Sequence, residues 1–107
     1  LLKIGRHFRL SLQTKLVVGR NKEENERLLR VAKIDDICFK PVEVKGPIGI
    51  GRGDFDQTTI FLASKIISRY SDAHDEVRIA YQRLPDGEMG LRRARPMKDM
   101  ELQELRI

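Results

Sequence analysis

Asp56-Gln57-Thr58-Thr59-Ile60-Phe61-Leu62-Ala63-Ser64-Lys65-Ile66-Ile67-Ser68-Arg69-Tyr70-Ser71 is the stretch on which the fold turns. Ile60, Ala63, Ile67 and Tyr70, joined by Ile66, recur at the spacing of one helix face. Asp56 or Thr58 is placed to cap the start, since either side-chain oxygen can accept a hydrogen bond from a free N–H of the first turn. A helix with one apolar stripe needs a partner layer, and strand patterns flank it on both sides. Downstream, Val77, Ile79 and Tyr81 alternate with Arg78, Ala80 and Gln82. Pro85-Asp86-Gly87 then makes a hairpin-type turn, Met89 to Arg95 is the return strand, and Pro96 breaks it. Met97 to Leu105 fits a last strand or a short helix equally. Upstream, Ile48 and Ile50 alternate with Gly49 and Gly51, a short strand whose glycines mark a close backbone approach or a bulge. Asp36 to Val44 reads as another strand, and Pro41 implies an edge, a bulge or a break within it.

The first third of the chain repeats the plan. His7 to Leu10 alternates basic and apolar residues, Ser11 to Thr14 is a polar turn, and Lys15 to Val18 is a second strand stopped by Gly19. Asn21 opens a helix with Glu24 three residues on, the spacing of a capping box. Leu28, Val31 and Ala32 form its apolar stripe with Leu29 at the edge, and it should end near Lys33. The order β-β-α-β-β-α-β-β predicts an α+β fold: a mixed or mostly antiparallel sheet of about five to six strands, with two helices packed on one face. Residues 1–107 form a single domain on this reading.

Aromatic residues are only 6% of the 107, with no Trp, so the core must be mostly Ile, Leu and Val. No apolar run approaches the roughly 18–20 residues of a membrane span, and no membrane partner is expected. The lone Cys38 excludes an internal disulfide and, with no signal-peptide pattern at Leu1-Leu2-Lys3, the expected location is cytoplasmic. A start at Leu1 rather than Met predicts a C-terminal fragment of a longer protein. The formal net charge of +5 points to polyanionic partners. Nine Lys or Arg fall in residues 1–33 against three Glu, and Arg92, Arg93, Arg95 and Lys98 form a second cluster.

Signs of chemistry are few. Gly49-Ile50-Gly51-Arg52-Gly53 precedes a helix start and could bring backbone N–H groups onto a phosphate. It is not a Walker A loop, for no Gly-Lys-Ser/Thr follows, and Asp54 and Asp56 would repel an anion. A flexible strand-to-helix loop accounts for it better. A small nucleotide-using enzyme built on that loop is the least favoured function. His74 beside Asp72 and Asp75 is better read as a polar turn than as a metal site, and no metal is expected. No nucleophile–base arrangement is visible, so no catalytic residue is assigned and this fragment is not expected to be an enzyme. Cys38, between Ile37 and Phe39, reads as core. Arg6, His7, Arg9 and Arg20 come just before and after two strands and can share one phosphate-binding surface.

Several pieces in order resemble a known family: Val17-Val18-Gly19-Arg20-Asn21-Lys22-Glu23-Glu24-Asn25-Glu26-Arg27-Leu28, then Asp36-Ile37-Cys38-Phe39, then Gly46-Pro47, then Ala63 with Arg69-Tyr70-Ser71-Asp72-Ala73-His74-Asp75. This is similar to the RNA-binding domain of NFACT proteins. It resembles still more the variant at the C-terminus of some prokaryotic PP-loop ATPases, which look like tRNA 2-thiouridylases and are often labelled tRNA methyltransferases. Gly5-Arg6-His7-Phe8-Arg9-Leu10 also fits that variant. The resemblance implies RNA as partner, tRNA first. It further implies an upstream catalytic domain of the same chain that uses ATP, in a tRNA-modifying transferase. The PP-loop Ser-Gly-Gly-x-Asp-Ser signature is absent from these residues, so the fragment itself has no implied cofactor. Lys40 stands where the family usually carries a histidine, and that histidine's role does not transfer. Arg20, Asn21, Asn25 and Lys40 match family surface positions. The expected RNA contacts are Arg6, Arg9, Arg20, Asn21, Lys40, Arg52, Arg92 and Arg93. A protein-interaction or dimerisation module that docks on the catalytic domain is the alternative, favoured if the sheet exposes an apolar face.

Overall fold

The structure, a computed structural model, describes residues 4–107; Leu1, Leu2 and Lys3, the last of them one of the nine N-terminal basic residues, lie outside them. Six strands and three helices follow in the order β1 (Arg6–Ser11), β2 (Thr14–Val18), α1 (Lys22–Val31), β3 (Ile37–Pro41), β4 (Gly49–Gly53), α2 (Gln57–Arg69), β5 (Val77–Arg83), β6 (Met89–Ala94) and α3 (Asp99–Leu105). The strands make one sheet in the order β1-β2-β4-β3-β5-β6, antiparallel at every pairing. The α+β class and the sheet size are as the sequence indicates. The open segment at the C-terminus is a helix, with Leu102 buried and Leu105 packed on the core.

Alternation along the strands divides the residues between two faces. Phe8, Leu10, Leu16, Val18, Ile37, Phe39, Val77 and Ile79 point to one face and pack against Ile60, Ala63, Ile66 and Ile67 of α2, with Met97 and Leu102 completing the layer. The expected helix stripe is thus the centre of the core. Asp56 is its N-cap: Asp56 Oδ1 accepts from the Thr59 N–H at 2.8 Å, while the Asp56 N–H donates to Thr59 Oγ1 at 2.8 Å. Gly49 and Gly51 lie in β4 directly beneath α2. A Cβ at Gly49 would come within 2.7 Å of Ile67 Cδ1, and one at Gly51 would strike the Phe55 ring. The glycines leave room for the Ile67 side chain of α2 and for the Phe55 ring that precedes it.

Two expectations need correction. The helices do not share a face: Leu28 of α1 packs on Ile50, Val17 and Cys38, which point away from α2. Both helix stripes are apolar, and periodicity alone does not say which side of a sheet each covers. The second correction concerns Gly49–Gly53, which is not a flexible loop or a phosphate cradle but a central strand. Its backbone is committed to ladders with β2 on one side and β3 on the other. Pro41 ends β3 opposite Ile79, past the last residue paired with β4, so its missing N–H leaves no gap in that ladder.

Candidate nucleic-acid interface

The start of α1 is the most elaborated polar region of the molecule. Asn21, in extended conformation, caps the helix: its Oδ1 accepts from the Glu24 N–H at 2.9 Å. The reciprocal half of the capping box is shifted by one residue. Glu24 Oε1 accepts from the Arg20 backbone N–H at 2.9 Å and from Arg20 Nε at 3.0 Å, and Oε2 accepts from Arg20 Nη2 at 2.7 Å. These bonds, the side-chain pair first, hold the Glu24 carboxyl down to about 2. Arg20 is therefore fixed in place, with about half of its side chain still in solvent. Asn25 Oδ1 accepts from the Ile48 N–H at 3.1 Å, and the Gly19 N–H donates to the Ile48 carbonyl at 3.0 Å. A side chain at Gly19 would displace Asn25. The helix start is thereby tied to the segment entering β4.

Cations collect around this knot. A depression of about 430 Å³ is lined by Arg6, Arg20, Asn21, Lys22 and Lys45, with the Tyr70 ring and one acid, Asp72, on its wall. An adjoining depression of about 490 Å³ shares Lys22 and Lys45 and adds Lys40. The Arg6 guanidinium lies 4.4 Å from the centre of the Tyr70 ring, which orients it without neutralising it. Lys22, Lys40 and Lys45 are exposed and make no ion pair among the described residues.

Four of the eight residues expected to touch RNA, Arg6, Arg20, Asn21 and Lys40, are thus brought together. The other four lie elsewhere. Arg9 and Arg52 are on the α1-bearing face and flank Lys15 across neighbouring strands. Arg9 donates to the Leu12 carbonyl at 3.2 Å. Arg52 donates to both oxygens of Asp36, at 2.9 and 2.7 Å. Burial pushes the Asp36 carboxyl up, but the Arg52 bonds and the Lys33 N–H outweigh it, and the net position is below the ordinary range. Arg92 lies on the α2 side with its guanidinium 4.5 Å from the Phe61 ring centre. Arg93 is at the far edge, 3.6 Å from Glu76. Sequence reasoning missed Lys22 and Lys45. Lys22 was there to be found at the first helical position, whereas Lys45 reaches the site only because the Gly46-Pro47 turn folds back on α1. Cys38 is half-buried beneath α1, and burial pushes its thiol up. Among the described residues no three His, Cys, Asp or Glu side chains converge as a metal site.

An antiparallel sheet with helices on both faces, and with unpaired cations gathered at one helix start, defines a basic α+β module suited to a polyanion. The chain belongs to the NFACT protein RNA binding domain family, whose model matches residues 5–106, and RNA is its partner class. The fold is also that of the C-terminal of the fibronectin/fibrinogen-binding protein from Streptococcus suis. The TM-score is 0.81 at 17% identity, covering 100% of this chain and 51% of that one. The chain thus spans about half the length of that structure, and at this identity the likeness is one of fold. No curated protein matches the sequence.

Proposed function

We propose that this domain holds tRNA for a PP-loop, ATP-dependent, tRNA-thiolating catalytic domain upstream in the same cytoplasmic chain. The observation that carries the RNA part is the joined depression around the α1 start, where Lys22, Lys40, Lys45 and Arg6 converge. Such a patch reads phosphate spacing and helix shape rather than base identity. The tRNA and the catalytic partner rest on the family resemblance carried by the α1 and α2 motifs, and ATP belongs to that partner. The fragment supplies binding, with no acid–base pair or nucleophile assigned a catalytic role.

The deciding experiment is a titration of the domain with tRNA, and with an unstructured RNA of equal length, at several salt concentrations. Tighter binding of tRNA with a straight log–log salt dependence supports the reading, and the slope counts the phosphates bound. No binding at low salt sinks it. A second reading has one observation in its favour. Met89 and Leu91 are exposed on the α1-bearing face of β6, a strand paired only on its β5 side. That edge suits docking of the catalytic domain, and protection of β6 amides in the longer protein would reveal it.

A further inference from the structure

A separate groove of about 560 Å³ runs on the α1-bearing face between α1 and the β1–β2 end of the sheet. Its floor is apolar: Val17 and Ile50 from the sheet, Leu28 and Val31 from the helix. Its rim carries Arg6, Lys15, Arg52 and Arg106 beside the His7 imidazole, and no acidic side chain lines it among the described residues. His7 is held by its Nε2, 3.1 Å from the Ile4 carbonyl oxygen.

Beside the rim, like charges are opposed across neighbouring strands. Arg9 and Lys15 are directly opposed across β1 and β2, and Lys15 and Arg52 across β2 and β4. Like charges opposed across strands destabilise a sheet. A third such pair, Arg78 opposite Arg93, is relieved by Glu43 on one side and Glu76 on the other. Asp36 likewise takes the charge of Arg52. Arg9 and Lys15 have no carboxylate partner among the described residues.

We infer that this groove receives one unstacked nucleotide of a single-stranded RNA segment, its base against the accessible Val17 and Val31 side chains above Leu28 and Ile50, and its phosphate against Lys15 and the neighbouring Arg9. The inference rests on the RNA reading proposed for the domain and adds a distinct subsite to it. A base has two apolar faces and a charged backbone beside it, which matches an aliphatic slot next to two unneutralised cations. A duplex buries its base faces in its own stack, so the slot discriminates single strands from helices. An apolar peptide would fill the floor but leave Arg9 and Lys15 opposed.

The test uses the whole chain with two probes, an oligouridylate hexamer and a hairpin of fully paired RNA. Val31 is 44% exposed, so Val31→Trp plugs the slot without entering the core. The expected result is at least a tenfold loss for the hexamer with little change for the hairpin, and hexamer-induced shifts of the Val17, Leu28 and Ile50 methyl resonances. Lys22→Glu with Lys45→Glu should weaken both probes. Hexamer affinity unchanged in Val31→Trp, with methyl resonances unmoved while amides near Lys22 and Lys45 shift, overturns the slot and leaves the RNA reading standing. Failure of both probes to bind the unaltered chain overturns both.

Discussion

At the residue scale, the side chains that look most available for RNA in the sequence are often those already occupied. Arg20 and Arg52 each donate two side-chain hydrogen bonds to a carboxylate, Glu24 and Asp36. Nothing in spacing reveals the Arg52–Asp36 pair, because they lie sixteen positions apart and meet only through the β3–β4 pairing, where Ile37 faces Gly51. The Arg20–Glu24 pair was within reach, since i and i+4 residues at a helix start are neighbours. Glu24 gives a pH signature. Its folded-state value of about 2 lies below the ordinary 4.5, so it contributes stability above pH 4.5 that is lost as pH falls toward 2. Urea midpoints between pH 6 and 2 should therefore fall more steeply for the native chain than for Glu24→Gln, which lacks the titrating group. Equal slopes would remove the Arg20–Glu24 pair from the account. Asp36 predicts a larger mechanical effect. Its side chain is 4% exposed and ties the Lys33 N–H to the Arg52 guanidinium. Asp36→Ala should cost about 2 kcal/mol, the scale of hydrogen bonds to a charged group, read by denaturant titration.

At the scale of elements, α2 carries the core by packing across the sheet from β1 to β6. Ile60, Ala63, Ile66 and Ile67 were legible as one face because a helix stripe repeats within a single segment. The residues beneath it were legible only as a glycine-rich run with two opposite meanings, loop or tight strand. What decides between them is Ile67 lying on Gly49 and Phe55 lying on Gly51, contacts that belong to the tertiary fold. Ile67→Ala, at a site with no exposure, should lower stability by about 2–4 kcal/mol. Gly51→Val should fail in the opposite sense, by overpacking, at about 1–3 kcal/mol or more. A variant with Gly51→Val and unchanged thermal midpoint would mean that Phe55 moves aside freely. The side of the sheet taken by α1 was beyond sequence reading for a related reason: Val17 and Leu16 are both apolar, so β2 offers a partner on either face.

At the scale of the molecule, cations without a carboxylate partner among the described residues gather in two regions. The α1 start gathers Arg6, Lys22, Lys40 and Lys45, and the groove beyond Leu28 has Lys15 in its lining with Arg9 opposite it across β1 and β2. The family and the net charge of +5 were readable from the chain as a string, and so was the general nature of the partner. The division of cations into free and occupied was not, because it depends on which acids the fold brings near. Half the residues expected to touch RNA converge at the α1 start, while Arg92 sits on the α2 side over Phe61. Replacing Lys22 and Lys45 together by Glu should weaken tRNA binding and flatten its log–log salt slope by roughly 0.7–0.9 for each phosphate that is no longer neutralised. Arg92→Glu should leave that slope unchanged, as a fluorescence titration would show.

The strand order has a kinetic side. β1 with β2, and β5 with β6, are hairpins whose partners lie a few residues apart, so each can close early. The middle of the sheet is different: β2 meets β4 across α1 and β3, and β3 meets β5 across β4 and α2. Loop-closure entropy must be met there before the reward of the β2–β4 ladder arrives. The sequence-adjacent pairs β1–β2, β3–β4 and β5–β6 can thus close before the β2–β4 and β3–β5 seams that join them, and a chain caught before that joining would present ready strand pairs with their apolar faces open to one another's copies.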